Sequence, residues 1–198
     1  MVRDRGAVVA VLLAAGAGRR MGKPKALAFD DQGSWLLRAC VTLRNGGCDD
    51  IVVVIGASAP EARALLGDLP VDVVEATDWA DGMGASLRAG LERAADGDAD
   101  AALVHLVDLP DVGADVVRRV AALAAVDALA RATYVGRPGH PVLIGRAHWT
   151  DVIRDLAGDH GARDYLDRHE AVDVECSDLA SGRDVDLPPN DAGPMLGR

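Results

Sequence analysis

The sequence of 198 residues has few aromatic side chains and fewer basic than acidic ones. Three tryptophans, two tyrosines and one phenylalanine leave little surface on which nucleic-acid bases stack. Lys and Arg number 21 and Asp and Glu number 31, which gives a formal net charge of −10. The phosphates of a nucleic-acid backbone repel an acidic chain, so we expect no nucleic-acid partner.

Cysteine is scarce as well, and long hydrophobic runs are absent. Cys40, Cys48 and Cys176 are odd in number and have no CxxC spacing, which argues against a disulfide framework and fits a reducing cytoplasm. The apolar run at residues 7–15 is shorter than the roughly 20 residues that span a bilayer, so we expect no membrane partner. A signal peptide is the alternative, but the valine content of the run and its end at Gly16 favour a buried strand.

Short apolar runs alternate with longer helix-like stretches along the chain. This alternation predicts an α/β fold, a single Rossmann-like domain with a mostly parallel sheet, and the length fits one domain. Residues 136–140 join two short strands in the second half, where we expect antiparallel pairing. The predicted strands are 8–14, 51–55, 71–75, 101–107, 132–135, 141–144 and 172–176. The predicted helices are 34–45, 60–66, 86–95, 114–125, 146–156 and 162–168.

The segment after the first predicted strand is the first candidate for a binding site, because ligands bind beyond the carboxyl ends of strands in open α/β sheets. Residues 13–25 have the sequence LAAGAGRRMGKPK, with three glycines and with four cations within seven positions. Glycines let backbone N–H groups turn towards a phosphate, and the cations supply charge. A tight turn with solvated cations is the alternative interpretation.

Two well-known phosphate loops do not fit this segment. The spacing from Gly18 to Gly22 is one residue short of a P-loop, and Pro24 replaces its hydroxyl residue. The dinucleotide pattern GxGxxG would need glycine where Met21 stands, and no acid ends the second predicted strand. NAD binding is therefore only a minor alternative.

Residues 13–25 resemble the loop LAAGxSxRMGxxK of the MobA-like nucleotidyltransferases, with Gly18 where that family often carries serine. Similar segments follow in the family's order, and six ordered matches are far more specific than one. They are TDWADGMGASL at 77–87, DLP at 108–110, GHP at 139–141, GDHG at 158–161 with Arg163, and DVDLP at 184–188. Ala14 and Ala15 before Gly16 resemble the molybdenum cofactor cytidylyltransferases, since the guanylyl-transferring branch has Ala-Gly-Gly.

The resemblance implies a sheet of the nucleotide-diphospho-sugar transferase type and an Mg²⁺-dependent enzyme. The implied reaction moves CMP from CTP to the phosphate of molybdopterin or the molybdenum cofactor and releases pyrophosphate, and a molybdenum enzyme is a possible recipient of the product. We expect a domain at residues 1–187, with a nucleotide-binding half at 1–110 and an acceptor-binding half at 111–187, and a flexible tail at 188–198. The alternatives are guanylyl or other NMP transfer to another small phosphorylated acceptor, a pigment-reducing oxidoreductase, and a nucleotide-binding chaperone.

Nucleotidyl transfer needs cations for the departing pyrophosphate and a metal ion that bridges phosphates. The resemblance assigns catalytic roles to Arg20, Lys25 and Asp108, while Lys23 fits a phosphate contact and solvent equally well. Mg²⁺ takes one or two carboxylates, so Asp108 at the end of a strand suffices, although an Asp that starts a turn is the alternative. Asp186 is the expected second metal ligand and Asp184 its competitor.

The remaining expectations concern the two substrates. Ser86 fits both a helix N-cap and a ligand contact. His140 lies on a predicted turn and is expected to contact the acceptor, with a packing role as the alternative. The expected nucleotide-binding residues are Leu13, Ala14, Ala15, Gly16, Gly18, Arg20, Gly22, Lys25, Gly82, Met83 and Ser86. The expected acceptor-binding residues are His140, Pro141, Asp159, Gly161 and Arg163, of which Asp159 and Arg163 alternatively pair with each other.

Overall fold

The structure, a computed structural model, describes residues 6–156 and 161–185. It confirms a single α/β domain with a mostly parallel sheet. The strands are β1 (Val8–Ala14), β2 (Phe29–Asp30), β3 (Gly33–Ser34), β4 (Asp50–Ile55), β5 (Asp72–Glu75), β6 (Ala101–Leu106), β7 (Leu129–Tyr134), β8 (Arg137–Gly145) and β9 (Val172–Glu175). The helices are α1 (Trp35–Asn45), α2 (Ala59–Leu66), α3 (Met83–Ala95), α4 (Ala114–Ala121), α5 (Trp149–Asp155) and α6 (Arg163–Arg168).

Seven strands form the main sheet in the order β5-β4-β1-β6-β8-β7-β9. β1 pairs in parallel with β4 and β6, and β4 pairs in parallel with β5. β8 runs antiparallel to both of its neighbours, and Val142 faces Val104 across the β6–β8 pair. The expected antiparallel strand in the second half is thus β8.

Helices cover both faces of the sheet, which explains why its central strand is a continuous apolar run. Every residue of β1 is buried. Val8, Ala10 and Leu12 pack into the core beneath α1, α2 and α4, whereas Val9 and Val11 pack into the core beneath α3, α5 and α6. None of the helices within 6–156 and 161–185 combines the length and apolar content that a membrane span requires.

The predicted start of a helix agrees closely with the structure at α1 but not at α3. α1 begins at Trp35, close to the predicted start at residue 34, and Ser34 caps it, because its Oγ accepts a hydrogen bond from the N–H of Leu37 at 3.4 Å. The prediction that Ser86 caps α3 is wrong: the helix begins at Met83, with Gly82 as its N-cap residue at φ +117°, and Ser86 is buried inside the helix.

The hairpin between β7 and β8 is tighter than predicted. Val135 and Gly136, with φ of +54° and +70°, form the whole connection between Tyr134 and Arg137. His140 therefore lies within β8, and its predicted placement on a turn is wrong. The strands extend beyond their apolar parts because backbone pairing continues past them, with Thr133 facing Pro138 after an irregularity in the β7–β8 register.

Candidate active site

Two adjoining clefts lie at the carboxyl ends of β1 and β6. The first, which we call the loop cleft, has a volume of about 510 Å³. The second, which we call the side cleft, has a volume of about 380 Å³ and shares Leu13 and Met83 with the first. The loop cleft is lined by Leu13, Ala14, Ala15, Gly16, Ala17, Gly18, Arg19, Arg20, Lys25, Trp79, Ala80, Gly82, Met83, Ser86, Leu106, Val107, Asp108 and Asp184.

The glycine-rich loop that follows β1 forms one wall of the loop cleft. Gly18 has φ +59°, and a Cβ atom added to it would lie 1.9 Å from the carbonyl oxygen of Lys23. The loop therefore folds back on itself in a way that only glycine permits at this position. Gly22 also has a positive φ, of +75°, but a Cβ atom there would meet no heavy atom within 4 Å.

An ion pair crosses the loop cleft between two residues that the sequence assigns to catalysis. Lys25 lies at the start of a 3-10 turn, and its Nζ is 2.6 Å from Oδ2 of Asp108. Asp108 is the second residue after the end of β6. The two side chains are 17% and 16% exposed, so the pair is partly shielded from solvent. Arg20 lines the same cleft with an exposed side chain, whereas Lys23 is exposed and is not part of the lining.

The last described segment of the chain brings a second carboxylate to this cleft. The N–H of Val185 donates to the carbonyl oxygen of Asp108 at 3.0 Å. The N–H of Ser181 donates to Oδ2 of Asp111 at 2.8 Å. These bonds hold Asp184 in the lining of the cleft, while Asp186, the expected second ligand, lies outside the described residues.

The donor set fits a magnesium ion that is shared with a phosphate. Across residues 6–156 and 161–185, no group of three or more His, Cys, Asp or Glu side chains is arranged to hold a metal ion. Mg²⁺ usually takes only one or two carboxylates and completes its shell with substrate phosphate and water. Asp108 and Asp184 on the lining of one cleft match that requirement.

The side cleft is apolar with three basic side chains in its wall. Leu87, Val104, Val142, Ile144 and Leu166 join Leu13 and Met83 in its lining, together with Pro138, Gly139, Gly161 and Ala162, and the basic side chains are those of Arg131, His140 and Arg163. Of the five expected acceptor residues, His140, Gly161 and Arg163 line it. Pro141 is buried and is not part of this lining, and Asp159 lies outside the described residues.

Two histidines near the side cleft are electrically neutral at neutral pH. Burial, assisted by the charge of Arg163, lowers the pKa of His140 to about 4. His105 in β6 is 1% exposed, and its Nδ1 has no hydrogen-bond partner among the described residues. Burial, together with the nearby His140, lowers the pKa of His105 to about 3. His105 is thus a core residue.

Comparison with known proteins decides the family. Residues 10–172 match the MobA-like NTP transferase domain. The chain belongs to this family. Since its model covers most of the sequence, the MobA-like protein described here is a nucleotidyltransferase, and the resemblance seen in its motifs is confirmed.

Two MobA-like relatives, one of them in two structures, cover nearly the same length. Nicotine blue oxidoreductase of Paenarthrobacter nicotinovorans is 38% identical over 194 residues, which are 92% of this chain and 94% of that protein. The crystal structure of Rv0371c from Mycobacterium tuberculosis H37Rv is 26% identical with a TM-score of 0.79, over 92% of this chain and 94% of that one. A complex of Rv0371c with manganese is 26% identical with a TM-score of 0.73, over 86% and 88%.

The structure brings together most of the MobA-like motif residues and adds one that the sequence did not indicate. All the expected nucleotide-binding residues line the loop cleft except Gly22. Arg131 of β7 lines the side cleft, although the predicted strand began only at residue 132. Its partners are Asp167 and Asp173, which are 36 and 42 positions away, so no local spacing could have identified it.

Proposed function

We propose that this enzyme transfers CMP from CTP to the phosphate of a pterin acceptor, molybdopterin or the molybdenum cofactor, and that Mg²⁺ supports the reaction. The observation that carries the proposal is the ion pair between Lys25 and Asp108, where a glycine-rich loop meets the end of β6 beside a second, apolar cleft. A phosphate oxygen of the acceptor attacks the α-phosphorus of CTP. The bond to the β-phosphate breaks, and pyrophosphate leaves.

The chain's own residues bind and orient the triphosphate. Backbone N–H groups of the loop that contains Gly16 and Gly18 face a phosphate, and Arg20 and Lys25 oppose its charge. In particular, the ammonium group of Lys25 stabilises the negative charge that grows on the departing pyrophosphate. Trp79, which is half-buried in the lining of the same cleft, offers its ring to the base.

Asp108 and Asp184 are the described carboxylates that would hold the metal ion, with Asp186 as a further candidate. A divalent ion bound there neutralises charge on the phosphates during transfer. The structure of Rv0371c with manganese supports a divalent metal site in a related protein of the same fold. Asp108 also positions Lys25 until the nucleotide arrives, because the two form an ion pair.

The base preference follows from Ala15. This residue lines the loop cleft and is 3% exposed. A Cβ atom added to Gly56 would lie 2.8 Å from the Cβ of Ala15, so the methyl group of Ala15 packs against Gly56. The guanylyl-transferring branch has glycine at this place, whereas the cytidylyltransferases have alanine. A pyrimidine base therefore fits this protein better.

The two halves of the domain divide the substrates between them. Described residues up to 110 contribute all of the loop cleft except Asp184, and described residues from 111 onwards contribute most of the wall of the side cleft, where the acceptor binds. The shared residues Leu13 and Met83 place the two clefts next to each other, as an in-line transfer requires. A molybdenum enzyme is the recipient that such a product implies.

A reductase that acts on an aromatic pigment is the second candidate function. The 38% identity to nicotine blue oxidoreductase and the apolar side cleft favour it. Hydride transfer would require a nicotinamide cofactor, and the loop at 13–25 lacks the dinucleotide pattern that binds one.

A thermal-shift panel distinguishes these functions. The protein is heated with CTP, GTP, ATP, UTP or NADPH, each with Mg²⁺, and we expect CTP to raise the melting temperature most. Pyrophosphate release with CTP and molybdopterin then tests the transfer itself. Preferential stabilisation by GTP would overturn the assigned base. Stabilisation by NADPH alone, with oxidation of NADPH by an aromatic pigment, would establish the reductase instead.

A further inference from the structure

Arg131 is held rigidly in the wall of the side cleft. Its Nε donates to Oδ1 of Asp173 in β9 at 2.7 Å, and its Nη1 donates to Oδ1 of Asp167 in α6. The guanidinium side chain is 13% exposed, whereas both carboxylates are 53% exposed. A planar group that two partners from different elements fix in this way loses little entropy when it binds a further ligand.

The electrostatic environment of Arg131 determines which ligand suits it. The hydrogen bonds that it donates to Asp173 and Asp167 raise its pKa above the ordinary value, so it stays charged. The same two carboxylates offset its charge and would repel a phosphate placed beside it. The two bonds use two of its five N–H donors. Arg131 therefore suits an uncharged hydrogen-bond acceptor better than an anion.

The rest of the side cleft fits the apolar body of such a ligand. Its volume of about 380 Å³ is near the lower end of the range for small-molecule sites. Leu87, Val142 and Leu166 supply apolar surface, and His140 is uncharged at neutral pH. A flat ring system with an acceptor atom on one edge satisfies both the apolar wall and the guanidinium.

We propose that Arg131 is a specificity-determining residue, which donates a hydrogen bond to the ring carbonyl oxygen of a flat heterocyclic acceptor. The proposal rests on the proposed function only in that the side cleft takes the acceptor. The hydrogen bond from Arg131 also sets the orientation of that acceptor. The ring edge lies against Arg131, and the phosphate points towards Leu13 and Met83, where the two clefts meet.

Two pteridines that differ in a single substituent test this proposal. Pterin carries a 4-oxo group, which accepts a hydrogen bond, whereas 2,4-diaminopteridine carries an amino group there, which donates. Each compound is titrated into the protein, and binding is followed by pteridine fluorescence. We expect the wild-type protein to bind pterin about tenfold more tightly, which is the size of one hydrogen bond to a charged group.

Substitution of Arg131 should remove the discrimination rather than all binding. In Arg131→Met the ratio of the two dissociation constants should fall to about one, since the methionine retains the apolar wall. Arg119→Met is the matched control, because Arg119 is similarly tied to Asp178 but does not line the side cleft. The control should keep the ratio of the wild-type protein.

A second variant covers the case in which Arg131→Met fails to fold. Asp173→Asn keeps the guanidinium but removes one of the carboxylates that engage it, so the preference for pterin over 2,4-diaminopteridine should be at least as large as in the wild-type protein. An unchanged ratio in folded Arg131→Met, or a ratio near one in Asp173→Asn, would show that Arg131 only ties α6 to the sheet. Absence of pteridine binding by the wild-type protein would also overturn the proposal, while stabilisation by CTP and Mg²⁺ would show separately that the nucleotide site stands.

Discussion

Lys25 and Asp108 are 83 positions apart in the sequence, yet Lys25 Nζ lies 2.6 Å from Asp108 Oδ2 in the loop cleft. In the proposed function each has another partner, a phosphate for the lysine and a metal ion for the carboxylate. The ion pair must therefore open before either ligand binds fully. A triphosphate that takes Lys25 releases Asp108, so nucleotide and metal should bind cooperatively.

Lys25→Met should affect metal binding and catalysis in opposite directions. The substitution removes the competitor of Asp108, so Mn²⁺ alone should bind more tightly than to the wild-type protein, as measured by electron paramagnetic resonance of free Mn²⁺. Turnover with CTP should fall by about 10²–10³, the usual effect of losing one preorganised electrostatic group. Lys23→Met is the control and should change neither quantity. Weaker Mn²⁺ binding in Lys25→Met would contradict the competition.

Asp108→Asn should leave the fold intact and nearly abolish transfer. The amide fills the same space but lacks the charge that binds a divalent ion. Circular dichroism should match the wild-type spectrum, and Mg²⁺ should no longer add to the thermal stabilisation that CTP gives. Asp115→Asn is a suitable control, since Asp115 pairs with Arg118 on the surface and does not line the loop cleft. Turnover of Asp108→Asn within a few-fold of wild type would rule out its role as a metal ligand.

Gly18→Ala should destabilise the protein more than Gly22→Ala does. Both residues have positive φ, which costs a residue with a side chain about 1–2 kcal/mol. Only at Gly18 would the added Cβ collide with the carbonyl oxygen of Lys23, so its loop must also move. Urea denaturation gives the two free energies of unfolding. Equal losses would mean that the close approach at Gly18 has no energetic consequence.

Val135→Asn should stabilise the protein by about 1 kcal/mol, because asparagine tolerates positive φ far better than a β-branched residue. Val135 has φ +54° and is 84% exposed, so the substitution sacrifices almost no buried apolar surface. Asn before Gly136 is also the preferred pair in a two-residue hairpin turn. The midpoint of urea denaturation should rise, and a lower midpoint would contradict this account of the turn.

His105→Leu should weaken the loss of stability in acid. The pKa of His105 is about 3 in the folded protein, whereas that of an unfolded histidine is about 6.5. As the pH decreases, the unfolded chain is therefore protonated at this histidine before the folded protein is. With respect to His105, the free energy of unfolding is highest above about pH 6.5 and falls as the pH decreases towards 3. Denaturation from pH 7 to pH 4 should show a shallower decline for the variant. Parallel declines for the variant and the wild-type protein would show that His105 has the same pKa in the folded protein and in the unfolded chain.

The sequence predicts those parts of the fold that depend on neighbours along the chain. β1 has its predicted limits because a buried central strand is an uninterrupted apolar run. α3 starts earlier than predicted, since Gly82 and Gly84 suggested a loop although Gly84 is buried in the helix. Arg131 was missed because a charged residue in a strand becomes intelligible only when distant carboxylates surround it.

The candidate site shows the same contrast. The glycines and cations of residues 13–25 identify the loop cleft without a structure, because a single segment supplies them. The pairing of Lys25 with Asp108 and the position of Asp184 depend on three separate segments meeting at one edge of the sheet. No fixed spacing in the sequence indicates that these distant segments come together in the fold.

The hydrogen bond from Val185 to the carbonyl oxygen of Asp108 also bears on how the protein is synthesised. A ribosome makes the chain from its N-terminus, and a nascent chain that has emerged only to β9 already contains the glycine-rich loop, Lys25 and Asp108. It lacks Asp184, which joins them only when the following segment docks beside Asp111. The strands of the sheet are therefore all synthesised before the last described residue of the site.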